Sequence, residues 1–73
     1  MARIAAIGER PRVLGLSAAG VAVFPADTPD RVVAAWDTLP ADVGLVIVTP
    51  AAAAALGPAR VDAKEPLTAV MPP

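Results

Sequence analysis

The sequence predicts a small α/β domain on a four-stranded parallel sheet, strand order 2-1-3-4, with about three helices. Three observations predict it. Short apolar runs alternate with segments of helical period, which implies parallel strands joined by right-handed crossovers. Two of the helical segments open on a Thr-Pro pair, Thr28-Pro29 and Thr49-Pro50. Gly20, Pro40 and Gly57 stand where helices should stop.

The elements follow in order. Ile4, Ala5, Ala6 and Ile7 are continuously apolar, so Arg3 to Ile7 reads as a strand covered on both faces. Gly8-Glu9-Arg10 is the turn after it, and Pro11 suits a first helical position because its missing N–H has no helical partner to lose. Val13, Leu14 and Leu16 give that short helix an apolar side up to Ala19, where Gly20 ends it. Val21 to Phe24 is a second strand, closed by Pro25. Thr28 caps the next helix, and Asp30 suits its positive end. Val32, Val33, Trp36 and Leu39 share one face of it, while Asp30, Arg31 and Asp37 point to water.

Gly44 to Val48 carries Leu-Val-Ile-Val, mostly β-branched and apolar on both sides, and is expected at the centre of the sheet. The alanine run that follows Thr49-Pro50 is a strong helix former that buries little area, so this helix packs close and weakly. Gly57 to Pro66 reads as a polar loop, and Leu67 to Met71 as the last strand. The second and fourth strands are then the edges. The whole is a Rossmann-like three-layer sandwich, and residues 1–73 read as a single domain.

Composition narrows the function. The formal net charge is −1 with no basic or acidic block, so neither nucleic acid nor an anionic membrane is an expected partner. Leu45 to Val48 is the longest strongly apolar run, well short of the roughly 20 residues of a membrane helix. Met1-Ala2-Arg3 does not lead into a signal peptide, so a cytoplasmic location is expected. There is no Cys and no His, which removes disulfides, thiol chemistry, the usual zinc and copper sites and any histidine base. The single serine, Ser17, reads as a surface or packing residue. The chain is 56% hydrophobic at 73 residues. A domain of this size buries only about 60% of its unfolded surface. Part of the apolar surplus should therefore remain outside as an interface.

Ligands of such sheets bind beyond the carboxyl ends of the strands, at the switch point. Here the switch-point loops carry Gly8, Glu9, Arg10 and Thr49. They lack the glycine triplet of a dinucleotide site and the Gly-Lys-Ser/Thr of a phosphate loop, so no cofactor and no metal is expected. Two uses of these loops stay open. One is an anion held by Glu9 with Arg10 and Arg12. The other is a solvated turn with an ion pair involving Glu9.

The segment Ile4 to Val21, IAAIGERPRVLGLSAAGV, resembles the F subunits of the V-type (archaeal and bacterial A/V-type) ATP synthases. The resemblance rests on a strand ending in Ile-Gly and on Gly15-Leu16-Ser17-Ala18-Ala19-Gly20. It continues through Thr28-Pro29-Asp30, Gly44 to Thr49, and Pro66 to Pro72. It implies a non-catalytic component of the central rotor stalk, beside a long coiled-coil protein, that helps couple ATP hydrolysis to ion transport. The likeness is to the family's N-terminal domain; its C-terminal helical tail has no counterpart in this sequence. Partner binding is then expected on the domain's own surface, at Leu16, Ala19, Gly20 and Val21, where small residues let another backbone approach. Two other roles are a stand-alone regulator that binds an anion or small ligand at the switch point, and a scaffold that self-associates through edge strands.

Overall fold

The computed structural model describes residues 3–73. Met1 and Ala2, part of the stretch read against a signal peptide, lie outside the described residues. The elements in chain order are β1 (Arg3–Gly8), α1 (Arg10–Val13), a 3-10 helix (Leu14–Ala19), β2 (Ala22–Pro25) and α2 (Pro29–Asp37). Then come β3 (Val43–Val48), α3 (Pro50–Leu56), α4 (Pro58–Val61) and β4 (Leu67–Val70). The four strands form one parallel sheet in the order β2-β1-β3-β4, as the alternation of elements implied.

Side chains alternate across a strand, and this divides the core in two. On one face Ala5 and Ile7 of β1 lie beside Val46 and Val48 of β3. These four pack with Val32 of α2 and with Ala52 and Leu56 of α3 in one buried cluster. Ala6 points the other way. It is fully buried, as is Val13 of α1, the helix that right-handed crossover places on that face.

The second face is only partly covered. Ile4 of β1 is 41% exposed and Leu67 of β4 is 61% exposed. The expectation that β1 is covered on both faces therefore holds for Ala5, Ala6 and Ile7 and fails for Ile4. The cause is the shortness of the first helix. Regular α-helix stops after Val13, and the tighter 3-10 winding from Leu14 onward shifts the angular positions of the side chains. Leu14, predicted on the apolar side, is exposed as a result.

The local signals act where the sequence placed them. Thr28 Oγ1 accepts from the Arg31 N–H at 3.3 Å, and Thr49 Oγ1 accepts from the Ala52 N–H at the same distance. Gly20 (φ 83°) ends the 3-10 helix in a left-handed conformation that residues with a Cβ rarely adopt. On α2, Val32 is buried and Trp36 packs partly against the core, as does Leu39, which lies two residues beyond the helix rather than on its face.

The stretch from Gly57 to Pro66 is not all loop: Pro58–Val61 forms α4. Pro58 starts that turn, and the Arg60 guanidinium donates to the Leu56 carbonyl at 3.0 Å, satisfying an α3 end that Gly57 leaves open. The helical segments thus number one α-helix more than expected, besides the 3-10 helix.

Among the described residues one buried side-chain polar atom has no partner, Thr68 Oγ1 on β4. An unsatisfied buried hydroxyl costs about 1–3 kcal/mol. Thr68→Val keeps the shape and removes the hydroxyl, so it should stabilise the domain by about 1 kcal/mol, roughly 4–8 °C in Tm. Thermal unfolding measures this; a lower Tm would show that the hydroxyl has a partner in solution.

Candidate functional site

The switch point between β1 and β3 is built from Gly8, Glu9 and Arg10, where β1 passes into α1, and from Thr49, the cap of α3. Gly8 closes β1, and Glu9 leads into α1. Thr49 follows β3 and is fully buried. Its N–H donates to the Ile7 carbonyl at 3.2 Å, which extends the β1–β3 ladder by one step. Gly8 lies directly against Thr49, with no room for a Cβ between them.

Thr49 Oγ1 donates to Glu9 Oε1 at 2.6 Å while accepting from the Ala52 N–H. The one hydroxyl therefore ties the turn after β1 to the first turn of α3. On the other side the Arg10 N–H donates to Asp27 Oδ1 at 3.3 Å, and the Ala26 N–H donates to the Gly8 carbonyl at 2.8 Å. The Arg12 guanidinium reaches the Pro72 carbonyl at 2.7 Å.

This arrangement bears on the two uses left open for the loops. Glu9 forms no ion pair with Arg10 or Arg12; the one salt bridge among the described residues is Arg3–Asp42, at 3.7 Å on the surface. The Glu9 carboxylate is instead fixed at the ends of the strands, where it repels an anion. The cavity beside it, between Thr28, Val32 and Ala52, measures about 90 Å³. Small-molecule pockets run to roughly 300–1,000 Å³.

The sequence proposed Gly8, Glu9, Arg10 and Thr49 together. The structure joins Glu9 and Thr49 through a side-chain hydrogen bond and sets the Gly8 backbone against the Thr49 side chain, and Arg10 enters only through its backbone. Asp27 was missed, because its partner is 17 residues away and no local pattern marks it.

The Thr49 hydroxyl, followed by Glu9's own backbone N–H, holds the Glu9 carboxyl below its ordinary range, and Arg12 adds to this. A folded pKa below the unfolded one means that the unfolded chain binds the proton first as pH falls. The stabilisation is thus complete above the unfolded value, about pH 4.3. It is lost as pH drops through the lower folded value. Glu9→Gln should therefore melt below wild type at pH 7 and converge with it in acid. Melting curves from pH 7 to pH 3 test this, and a difference that persists unchanged at pH 3 would contradict it.

The second group of predicted residues lies on the 3-10 helix and the start of β2. Leu16 and Val21 are half-buried, whereas Ala19 and Gly20 are exposed. Leu16 lies outside the main core cluster. The 3-10 helix packs on β2, which brings this strip to the β2 side of the sheet, remote from β4.

A larger cavity, about 620 Å³, lies elsewhere, at the amino ends of β3 and β4. Trp36, Pro40, Asp42, Lys64 and Pro66 are on its wall. Sequence alone offered only one pointer to it, Trp36, the single tryptophan, which was expected in the core first and at an interface second.

Fold and switch point define a small doubly wound α/β domain of the Rossmann-like class, with its switch point tied up by its own side chains. The family follows from the sequence: the profile of the ATP synthase (F/14-kDa) subunit matches residues 4–72, and the chain belongs to that family. No curated protein and no solved structure matches the chain significantly. Among the described residues no helix is long and apolar enough to cross a membrane, and no cluster of acidic, His or Cys side chains has the spacing of a metal site.

Proposed function

We propose that the chain is a non-catalytic coupling component of a V/A-type, proton-translocating ATPase, seated on the cytoplasmic central stalk beside a coiled-coil rotor protein. The observation that carries this reading is the family match over residues 4–72. Two features support it. The repertoire lacks the His and Cys side chains that most often act as base, nucleophile or soft metal ligand. The place where this fold presents ligands is occupied by the Glu9–Thr49 bond.

A stalk component without chemistry works through its surface. Ala19 and Gly20 are exposed between half-buried Leu16 and Val21. The exposed Leu14 continues this strip on the same 3-10 helix. Small residues flanked by larger apolar ones let a partner helix come close and still bury area. On this reading residues 1–73 act as one domain of the F/14-kDa type that holds the rotor through Leu16, Ala19, Gly20 and Val21.

The test is binding to a purified coiled-coil rotor protein, and pull-down from the native cell, with wild type against Ala19→Arg. Ala19 is exposed, so the variant should keep its circular dichroism and its Tm. It should lose the ATPase subunits that wild type retains, with affinity down at least tenfold. Equal binding by a folded Ala19→Arg would move the interface away from this strip. A wild-type chain that retains no ATPase subunit would overturn the reading itself.

A further inference from the structure

The two edges of the sheet are not treated alike. Every residue of β2 but Pro25 is half-buried, the 3-10 helix packs on the strand, and Pro25 closes it. Strand β4, Leu-Thr-Ala-Val, has no charge and no proline within it. Helix α4 touches β4, yet Leu67, Ala69 and Val70 remain exposed. Among the described residues, two of the four large exposed hydrophobic side chains, Leu67 and Val70, belong to this strand. Proteins usually blunt such an edge with charge, proline or a bulge.

The backbone shows what the edge offers. The Met71 N–H donates inward to the Val48 carbonyl at 2.8 Å. Peptide groups alternate along a strand, so those of Leu67 and Ala69 also face β3, and those of Thr68 and Val70 face outward. Pro66 and Pro72 flank the strand without an N–H to donate. The open edge is therefore a window of two residues.

We propose that β4 is a homodimerisation edge, on which two copies of the chain pair antiparallel about a two-fold axis at Ala69. In this register the Thr68 N–H meets the Val70 carbonyl of the second copy, and the Val70 N–H meets its Thr68 carbonyl. Symmetry repeats the pair, so all outward groups of the window are satisfied at once. On the partly bare face, Leu67 comes opposite Met71 of the second copy and loses its exposure to water. A net charge of −1 puts little repulsion between copies. The flanking prolines keep the pairing from extending, so it closes as a dimer rather than growing into a fibre.

Area sets the strength. A stable interface buries about 800 Å² per partner. That is roughly a fifth of this domain's 4425 Å² surface, more than a two-residue window and its side chains cover. The dimer is therefore a weak one, in the micromolar to millimolar range. It lies on β4, away from the strip assigned to the rotor, and does not depend on that assignment.

Sedimentation equilibrium of the full chain over a concentration series tests it, with wild type against Val70→Pro. The Val70 N–H is not used inside the sheet, so proline takes away the outward donor without breaking a hydrogen bond of the β3–β4 ladder. We expect a monomer–dimer equilibrium in wild type, at least tenfold weaker in Val70→Pro, with circular dichroism unchanged. A wild type that stays monomeric at millimolar concentration overturns the proposal, as does equal dimerisation of a folded Val70→Pro. If that variant does not fold, amide exchange in the wild type decides. Protection of the Thr68 and Val70 N–H groups that rises with concentration supports the dimer, and protection independent of concentration overturns it.

Discussion

Val46→Asp abolishes cooperative folding of this domain. Val46 is fully buried at the middle of β3, paired with Ala5 on one side and Thr68 on the other. Its side chain points into the cluster of Ile7, Val32, Ala52 and Leu56, which offers no cation, and the Thr68 hydroxyl beside it on β4 carries no charge to neutralise a carboxylate. An unpaired buried charge costs about 3–5 kcal/mol, and the lost packing of the valine adds to it. A 73-residue domain has only about 4–11 kcal/mol of stability in total. The control lies in the same sheet. Leu67 is 61% exposed on β4, and Leu67→Asp should cost about 1 kcal/mol or less, the span of strand propensity. Urea unfolding of both variants checks the pair. A cooperative transition in Val46→Asp would mean that β3 is not the buried centre of the sheet.

Gly8→Ala should lower stability by about 3 kcal/mol, although it adds a single methyl group. The new Cβ would stand 2.7 Å from Thr49 Oγ1 and 3.0 Å from its Cβ, and would press hardest on Cγ2. Thr49 cannot turn aside, because it is fully buried and its hydroxyl is held by Glu9 and by the Ala52 N–H. Either β1 and β3 part locally, or the hydroxyl gives up both bonds and α3 loses its cap. Overpacking of this kind costs about 1–3 kcal/mol and a lost cap about 1 kcal/mol. The expected fall in Tm is roughly 12–24 °C. Thr49→Ala removes the two atoms in the way. In that background Gly8→Ala should cost at least about 1 kcal/mol less than in wild type, a coupling that thermal melts of the four proteins resolve. Strictly additive losses would show that the added methyl does not meet Thr49.

Most of the architecture was legible because the local signals are strong and agree with one another. Thr-Pro at Thr28 and Thr49 and glycine at Gly20 and Gly57 act through the backbone next to them, whatever the rest of the chain does. The run Leu45 to Val48 is apolar at every position, and Val46 and Val48 are fully buried. The short helix α4 was not legible, since Pro58-Ala59-Arg60-Val61 has no periodicity over its four residues. The turn to 3-10 winding after Val13 was not legible either, and with it the exposure of Leu14 and Ile4.

The switch point was legible as a place and not as a structure. Sequence identified Gly8, Glu9, Arg10 and Thr49 as neighbours of the strand ends, from topology alone. It left open whether Glu9 takes an ion pair with the nearby arginines. In the fold the carboxylate turns instead to a hydroxyl 40 positions away. The strip from Leu16 to Val21 was legible as apolar with small residues, and the structure shows which of them face water: Ala19 and Gly20 do, and Leu16 and Val21 only in part.

By itself the sequence determined the order and kind of the elements, the parallel sheet, the absence of Cys and His and, through motifs spread along the chain, the family. These rest on interactions between residues a few positions apart, or on composition, and a linear reading contains both. Only the tertiary structure decided that the first helix is too short to cover its face of the sheet. The same holds for the bond between Thr49 and Glu9, and for the open edge of β4. Each of these depends on which groups meet after strands far apart in the chain are brought side by side, and on how much area the intervening helices cover once they are there.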